Sequence, residues 1–423
     1  MESFQIKGGR KLQGEIRAAG NKNSALKLMA ASLLCSQPST LTNVPEIVDA
    51  RSMCRIIQDL GGKVVNTRGG LRIDPVGLSS WKLDKDLVSR LRASVVLAAP
   101  LLARFGRVLL PRPGGDSIGE RLLDTHVAMF KAFGARSTQK DSVYDIRIKK
   151  LRPARIFLEE ASVTATEMAL LFASAIEGES VIEGAACEPH VVDLAEMLTK
   201  MGSRIAGAGT NIIKIKGSKN LHGVSHKVRT DHIEVGTFAI AAAITNGEVR
   251  IKDVVPEDLK MILAYLTKMS VRWEFEGEDV LHIMPSKLLA RQEKFQTRPW
   301  PGFPTDLMSP FIVLATQTKG TVLCHDWMYE WRIFFVDHLI SMGAKIFIAD
   351  PHRVIVRGKS PLYGDTIPSA DIRAGGALVL AALAAKGESI VEHAEVIDRG
   401  YENFEARLKA LGAEIKRVGG REE

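Results

Sequence analysis

The chain has 423 residues, 46% hydrophobic and 25% charged, with a formal net charge of +8, the balance of a soluble globular protein with room for two or three domains. Its longest apolar run, Ala377 to Ala385, falls far short of the ~20 residues of a membrane span, and Cys35, Cys54, Cys187 and Cys324 lack the paired spacing of a zinc site or disulfide framework. Lys and Arg are dispersed with no zinc-finger or RNP-type motif, so the positive balance suits a cleft for small, multiply charged anions better than nucleic acid.

The start, "MESFQIKGGRKLQGEI", has no apolar signal core, and the chain is expected to be cytoplasmic. Next, "AAGNKNSALKLMAASLL" (18–34) sets Asn21, Lys22, Asn23 and Ser24 at the mouth of an Ala/Leu helix, where bare N–H groups already favour an anion. "LRASVVLAAPLLARFG" (91–106) places Arg92 at an equivalent helix start. "LLPRPGGDSIGERLLD" (109–124) is too irregular for helix or strand; its Asp116 is either the tip of a surface turn or a reactive carboxylate on a loop that Gly114 and Gly115 allow to close. "FPTDLMSPFIVLA" (303–315) puts Thr305 and Asp306 before a helix, where Asp306 also reads as an N-cap. "SADIRAGGALVLAAL" (369–383) does the same with Asp371 and Arg373, while Arg121, Arg332 and Arg399 add cations in turns.

A phrase of large apolar residue, glycine, small residue recurs at Leu60, Phe133, Met201, Met342 and Leu411, with a weaker copy at Met269 in which Ser270 replaces the glycine. The first residues stand 73, 68, 68, 73 and 69 positions apart, close to six units of ~70 residues. Each unit reads as a buried Ala/Leu-rich helix, a β-branched strand, a second amphipathic helix and another strand. The expected fold class is α/β, with two pseudo-symmetric halves of three units and a ligand site in the cleft between them. Recurring Arg, Lys and Asp at the helix entrances then describe a site for phosphate and carboxylate groups.

"GNKNSALKLMAASLL", "RPGGDSIGER", "ACEPHVVDL", "GFPTDLM", "ADIRAGGALVLAAL" and "IDRGYENFEARLKALGAEI", in order along nearly the whole chain, resemble the UDP-N-acetylglucosamine 1-carboxyvinyltransferase family of enolpyruvyl transferases. The resemblance implies an inside-out α/β barrel of two domains, 22–229 with the substrate loop 111–122, and 1–21 plus 230–423. It implies transfer of the enolpyruvyl group of phosphoenolpyruvate to the 3-hydroxyl of UDP-N-acetylglucosamine, the first committed step of peptidoglycan synthesis. Those two small molecules would be its ligands, with no metal, no organic cofactor, no nucleic acid and no membrane partner, in a monomer or weak homo-oligomer.

By position in the matching motifs, Lys22, Arg121 and Arg399 would hold phosphate, Arg92, Arg332 and Arg373 would complete the basic pocket, and Asn23 would touch the sugar. Asp306 would accept or orient the proton of the sugar hydroxyl, with Thr305, Met328 and Asp371 around the substrate. The nucleotide would lie along Arg121, Leu122, Leu123, Asp124, Ser162, Val163 and Thr164. Five residues depart from the family pattern: Leu122 stands where proline is usual, Thr164 where glycine is, Val396, near Arg399, where histidine is frequent, Trp331 directly precedes Arg332, and Asp116 stands where most members carry the cysteine that fosfomycin alkylates. A carboxylic acid can deliver the same proton as that thiol if its pKa is tuned upward. Two alternatives remain at this stage: a 3-phosphoshikimate 1-carboxyvinyltransferase, and a catalytically silent nucleotide-sugar-binding paralogue.

Overall fold

The computed structural model describes residues 2–115, 118–119 and 122–419. By internal contacts the chain forms two units: one holds the chain up to Ala19 and from Thr230 onward, together with Ile118 and Gly119, and the other runs from Gly20 to Arg229. Ile118 and Gly119, expected within the 22–229 domain, belong with the first unit, where the Trp331 N–H donates to the Ile118 carbonyl at 3.2 Å.

In the first unit, helices His232–Ile244, Met308–Gln317 and Ile372–Ala384 pack on one another and are buried over almost their whole length. Ala-rich sequence makes this possible, because small side chains let helix axes approach. Gly236 is one such point, since a Cβ there would lie 2.6 Å from Leu307. In the second unit, helices Lys22–Ala31, Ala98–Phe105 and Val163–Ser174 hold the corresponding core.

Among the described residues, three separate small sheets stand around each set of helices, five of the six with four strands and one with three. The strands alternate buried and exposed residues, as half-buried strands do; Ser3–Lys7 buries only Phe4 and Ile6. One plan recurs in the four-stranded sheets: a parallel edge strand, the strand that follows a core helix, then two antiparallel strands. Lys294–Gln296, Gly320–His325, Arg353–Gly358 and Ile346–Asp350 lie in that order. In the three-stranded sheet the parallel edge shrinks to one bridge, Lys82 with Leu109.

The chain passes between units by exchanging edge strands. Gln13–Arg17 precedes the Lys22–Ala31 helix but pairs in parallel with Glu248–Lys252 of the first unit. Ser225–Lys227 precedes the His232–Ile244 helix but pairs with Ser39–Thr42 of the second. Within the first unit, Glu234 accepts from the Ala19 N–H at 2.8 Å and is held by both terminal nitrogens of Arg407.

The repeated phrase proves to be a helix stop. All its glycines have positive φ, at Gly61 (97°), Gly134 (95°), Gly202 (118°), Gly343 (104°) and Gly412 (94°), and Ser270 takes the same role at 60°. At each, the N–H of the next residue returns to a carbonyl five residues back, as in Ser203 to Leu198 at 3.1 Å, Ala344 to Leu339 at 2.8 Å and Val271 to Leu266 at 3.0 Å. This is the Schellman closure, which satisfies the last helical carbonyls and turns the chain into the following strand. The residue after the glycine is small or β-branched because it is tucked beneath the helix end; Ala135, Ser203, Ala344 and Ala413 are all buried. A Cβ on Gly202 would meet nothing closer than 3.6 Å, so Gly202→Ala isolates the backbone cost. It is expected to lower stability by about 1–2 kcal/mol, read as a reduced urea midpoint; an unchanged midpoint would contradict the assignment.

Candidate active site

In the first unit the functional residues gather at helix entrances. Asp306 lies in the single 3-10 turn Thr305–Leu307 that leads into Met308–Gln317. It is not the N-cap: Pro304 holds that position with no side-chain bond, and the Asp306 carboxylate turns to two arginines instead. Arg373 donates to Oδ2 through Nε at 3.0 Å and Nη2 at 2.9 Å, and Arg332 donates to Oδ1 through Nη2 at 3.0 Å. Both guanidinium side chains are at most 5% exposed, whereas the carboxylate is 26% exposed. The cations are therefore fixed from behind and the acid faces outward.

Each arginine has its own support. Asp371 caps the Ile372–Ala384 helix, accepting from the Arg373 and Ala374 N–H groups, and lies 3.8 Å from Arg332 Nη1. The Arg373 guanidinium sits over the Tyr401 ring at 5.3 Å, and Gly376 leaves room for that ring, since a Cβ there would lie 2.8 Å from it. Burial works against the charge on Arg332, but Asp306, Asp371 and Asp326 outweigh it and hold its pKa above the usual guanidinium value. Burial likewise opposes the charge on Arg373, and Asp306 reverses the balance. Arg332 Nε and Nη1 are buried without a hydrogen-bond acceptor, leaving donors for an anion. Thr305 donates to Asp326, which also accepts from the Met328 N–H at 3.0 Å.

The second unit holds a separate group. Asn21 caps the Lys22–Ala31 helix, accepting from the Ser24 N–H at 2.9 Å. Lys22 Nζ lies 2.6 Å from Asp49, and half-buried Asn23 follows it on the first turn. Ser24 donates to Asp193, whose other oxygen is 2.7 Å from His226 Nε2. Arg92 reaches the Pro113 carbonyl at 3.5 Å and the Leu122 carbonyl at 3.4 Å, bracketing both stems of the loop. Ser162 caps the Val163–Ser174 helix. Thr164 meets His126 Nε2 at 2.7 Å. Burial, helped by Arg92, pulls the His126 pKa down to about 4, so the ring is neutral at physiological pH.

The structure thus brings Thr305, Asp306, Arg332, Asp371 and Arg373 together in one unit, with Met328 linked through Asp326. In the other unit it places Lys22 and Asn23 on one helix entrance and Ser162, Val163 and Thr164 on another. Leu122 is exposed, Leu123 is buried and Asp124 begins the Asp124–Ala132 helix. Arg399 is half-buried in the turn after Ala394–Ile397. Asp116 and Arg121 lie outside the described residues. Sequence reading missed Asp49, Asp326, Tyr401 and His126, whose partners are distant in the chain; only the unexplained Thr164 hinted at the last.

A family-level comparison matches residues 6–408 to EPSP synthase (3-phosphoshikimate 1-carboxyvinyltransferase). The chain is 44% identical to a UDP-N-acetylglucosamine 1-carboxyvinyltransferase of Treponema denticola over 98% of its own length and 99% of the relative's. It is 45% identical to one of Bradyrhizobium diazoefficiens over 98% of each. Among solved structures it is similar to the enolpyruvyl transferase NikO from Streptomyces tendae, with a TM-score of 0.90 at 24% identity over 99% of both chains. EPSP synthase from Acinetobacter baumannii gives 0.74 at 20% identity, over 99% of this chain and 100% of that one. The chain belongs to the EPSP synthase family of carboxyvinyl transferases, and it is an enolpyruvyl transferase. No helix among the described residues is long and apolar enough to cross a membrane.

One buried acid in the second unit carries a pH signature. Glu167 is fully buried, 3.5 Å from Lys27 Nζ and 3.8 Å from His190 Nε2. Burial raises its pKa to about 7 despite Lys27, with Glu188 adding to the rise. A raised acid pKa means that the folded state holds a proton that the unfolded state releases, so its contribution falls as pH rises from about 4.5 through about 7. Urea unfolding across pH 5 to 8 should show wild type losing on the order of 3 kcal/mol relative to Glu167→Gln; parallel profiles would refute the assignment.

Proposed function

We propose that this enolpyruvyl transferase moves the enolpyruvyl group of phosphoenolpyruvate to the 3-hydroxyl of UDP-N-acetylglucosamine, releasing phosphate, and so supplies the first committed step of peptidoglycan synthesis. The names of relatives at 40–45% identity over nearly the full chain support the acceptor. The observation that carries the chemistry is the Asp306 carboxylate, gripped by two buried arginines and itself 26% exposed.

Arg373 and Arg332 fix the angle of the Asp306 carboxylate, whose partly exposed side suits the sugar hydroxyl. Asp306 therefore acts first by orienting that hydroxyl, and takes its proton as the oxygen bonds to C2 of phosphoenolpyruvate. The spare donors of Arg332, with Arg399, suit the carboxylate and phosphate of the donor. Asp116 delivers a proton to the methylene carbon, giving a tetrahedral ketal. Loss of a methyl proton and departure of phosphate then regenerate the double bond on the new ether. Thr164 and neutral His126 would border the nucleotide.

Asp306→Asn keeps the shape but removes the proton acceptor, and should lower kcat about 10²–10⁴-fold with a small change in KM. The assay is phosphate release with UDP-N-acetylglucosamine, run beside shikimate 3-phosphate; turnover of shikimate 3-phosphate alone would overturn the acceptor. With Asp116 in place of the thiol, fosfomycin should neither inactivate the protein nor add mass to the peptide carrying residue 116. Time-dependent inactivation with an adduct on another residue would overturn the predicted insensitivity.

A further inference from the structure

The sheet formed by Arg272–Glu276, Val280–Met284, Glu248–Lys252 and Gln13–Arg17 belongs wholly to the first unit. Trp273, Phe275, Leu281 and Ile283 line its inner side, which sends Glu274, Glu276 and His282 to the other. Glu274 pairs directly across from His282, Glu276 lies two pairs along on the same face, and Arg250 faces His282 from the next strand.

His282 is only 7% exposed, and its two ring nitrogens have different surroundings. Nε2 lies 3.1 Å from Glu248 Oε1, in hydrogen-bonding geometry, which places a proton on that nitrogen. Nδ1 is buried with no hydrogen-bond partner, yet Glu276 Oε1 stands 2.9 Å away and Glu274 Oε1 3.5 Å. A lone pair facing two carboxylates is repulsive unless a proton sits on Nδ1 or a cation lies among them. Arg250 supplies one charge, bonding Glu276 at 2.8 and 3.1 Å. Three glutamates against one guanidinium still leave two negative charges.

We propose that His282 Nδ1, Glu274 and Glu276 form a divalent-cation site. The three donor atoms lie within 4.8 Å of one another. Metal–ligand bonds of ~2.0–2.1 Å in a tetrahedral site put ligands ~3.3 Å apart, between the two separations measured from Nδ1. One imidazole with two carboxylates suits Zn²⁺, and Glu248 on the far nitrogen is the outer carboxylate that metal-bound histidines commonly carry. Glu274 is 58% exposed, so water can complete the coordination. The ion would clip the edge strand Arg272–Glu276 to its neighbour and take no part in the transfer reaction, so the proposal stands apart from the functional reading.

The test is calorimetric titration of the chelator-treated full chain with ZnCl₂ at neutral pH, with Co²⁺ absorption as a second probe. One ion per chain is expected, with a Zn²⁺-dependent rise in the thermal midpoint. Glu274→Gln, at an exposed position that does not threaten folding, should weaken binding at least ~10-fold and abolish the rise, with transfer activity unchanged. Absence of one-to-one binding, or binding equally tight in Glu274→Gln, would overturn the site.

Discussion

The governing constraint is that the core helices are enclosed along their sides. Helices such as His232–Ile244 and Ile372–Ala384 are buried over nearly their full length, so a polar group on a flank needs a buried partner, as Lys27 and Glu167 are for each other. Most of the charge sits at their ends. An N-terminus there presents unpaired N–H groups and a partial positive charge, which side chains or ligands must satisfy. Asn21, Ser162, Asp231 and Asp371 each cap such an end. The residues beside them, Lys22, Thr164, His232 and Arg373, are thereby delivered to the same surfaces. A fold that hides its helices concentrates its chemistry at their entrances.

Burying Arg332 and Arg373 would be costly without anions, since desolvation of a charge costs several kcal/mol. Asp306 and Asp371 supply them. The result differs from an exposed ion pair because neither guanidinium is free to rotate: Arg373 is fixed by two bonds to one carboxylate oxygen and by the Tyr401 ring. Tyr401 is itself tied through its hydroxyl to Thr237, at 3.2 Å. Preorganised donors of this kind need little rearrangement when an anion arrives or charge develops. A lysine in place of Arg373 would keep the charge and lose the fork that sets the angle of Asp306.

Much of this architecture was legible because its signal is local. The large-apolar, glycine, small phrase marks six helix stops, since a positive φ, a returning hydrogen bond and a tucked small residue all fall within six positions. Ser270 shows how the pattern survives without glycine: its hydroxyl donates to the Leu289 carbonyl at 2.9 Å and accepts from Arg291. The exchanged strands were not legible, because Gln13–Arg17 is five residues long and buries only Ile16, with nothing local to name its partner. Asp306 was legible as a charged helix entrance but not as the partner of two arginines, 26 and 67 residues away.

Thr164 and Leu122 divide on the same principle. Thr164 acquires a definite partner in His126, which fixes that ring's contact and links the helix entrance at Ser162 to the Asp124–Ala132 helix. Glycine there would leave His126 Nε2 without its hydroxyl partner, and a buried neutral imidazole with an unmet polar atom carries a desolvation cost of about 1–3 kcal/mol. The chain has therefore exchanged backbone freedom at that entrance for a side-chain contact that holds it in place. Leu122 acquires nothing comparable: it is 59% exposed, and Arg92 meets only its carbonyl. Backbone contact of that kind tolerates any side chain, so Arg92 brackets the loop stem without depending on the residue that stands at 122.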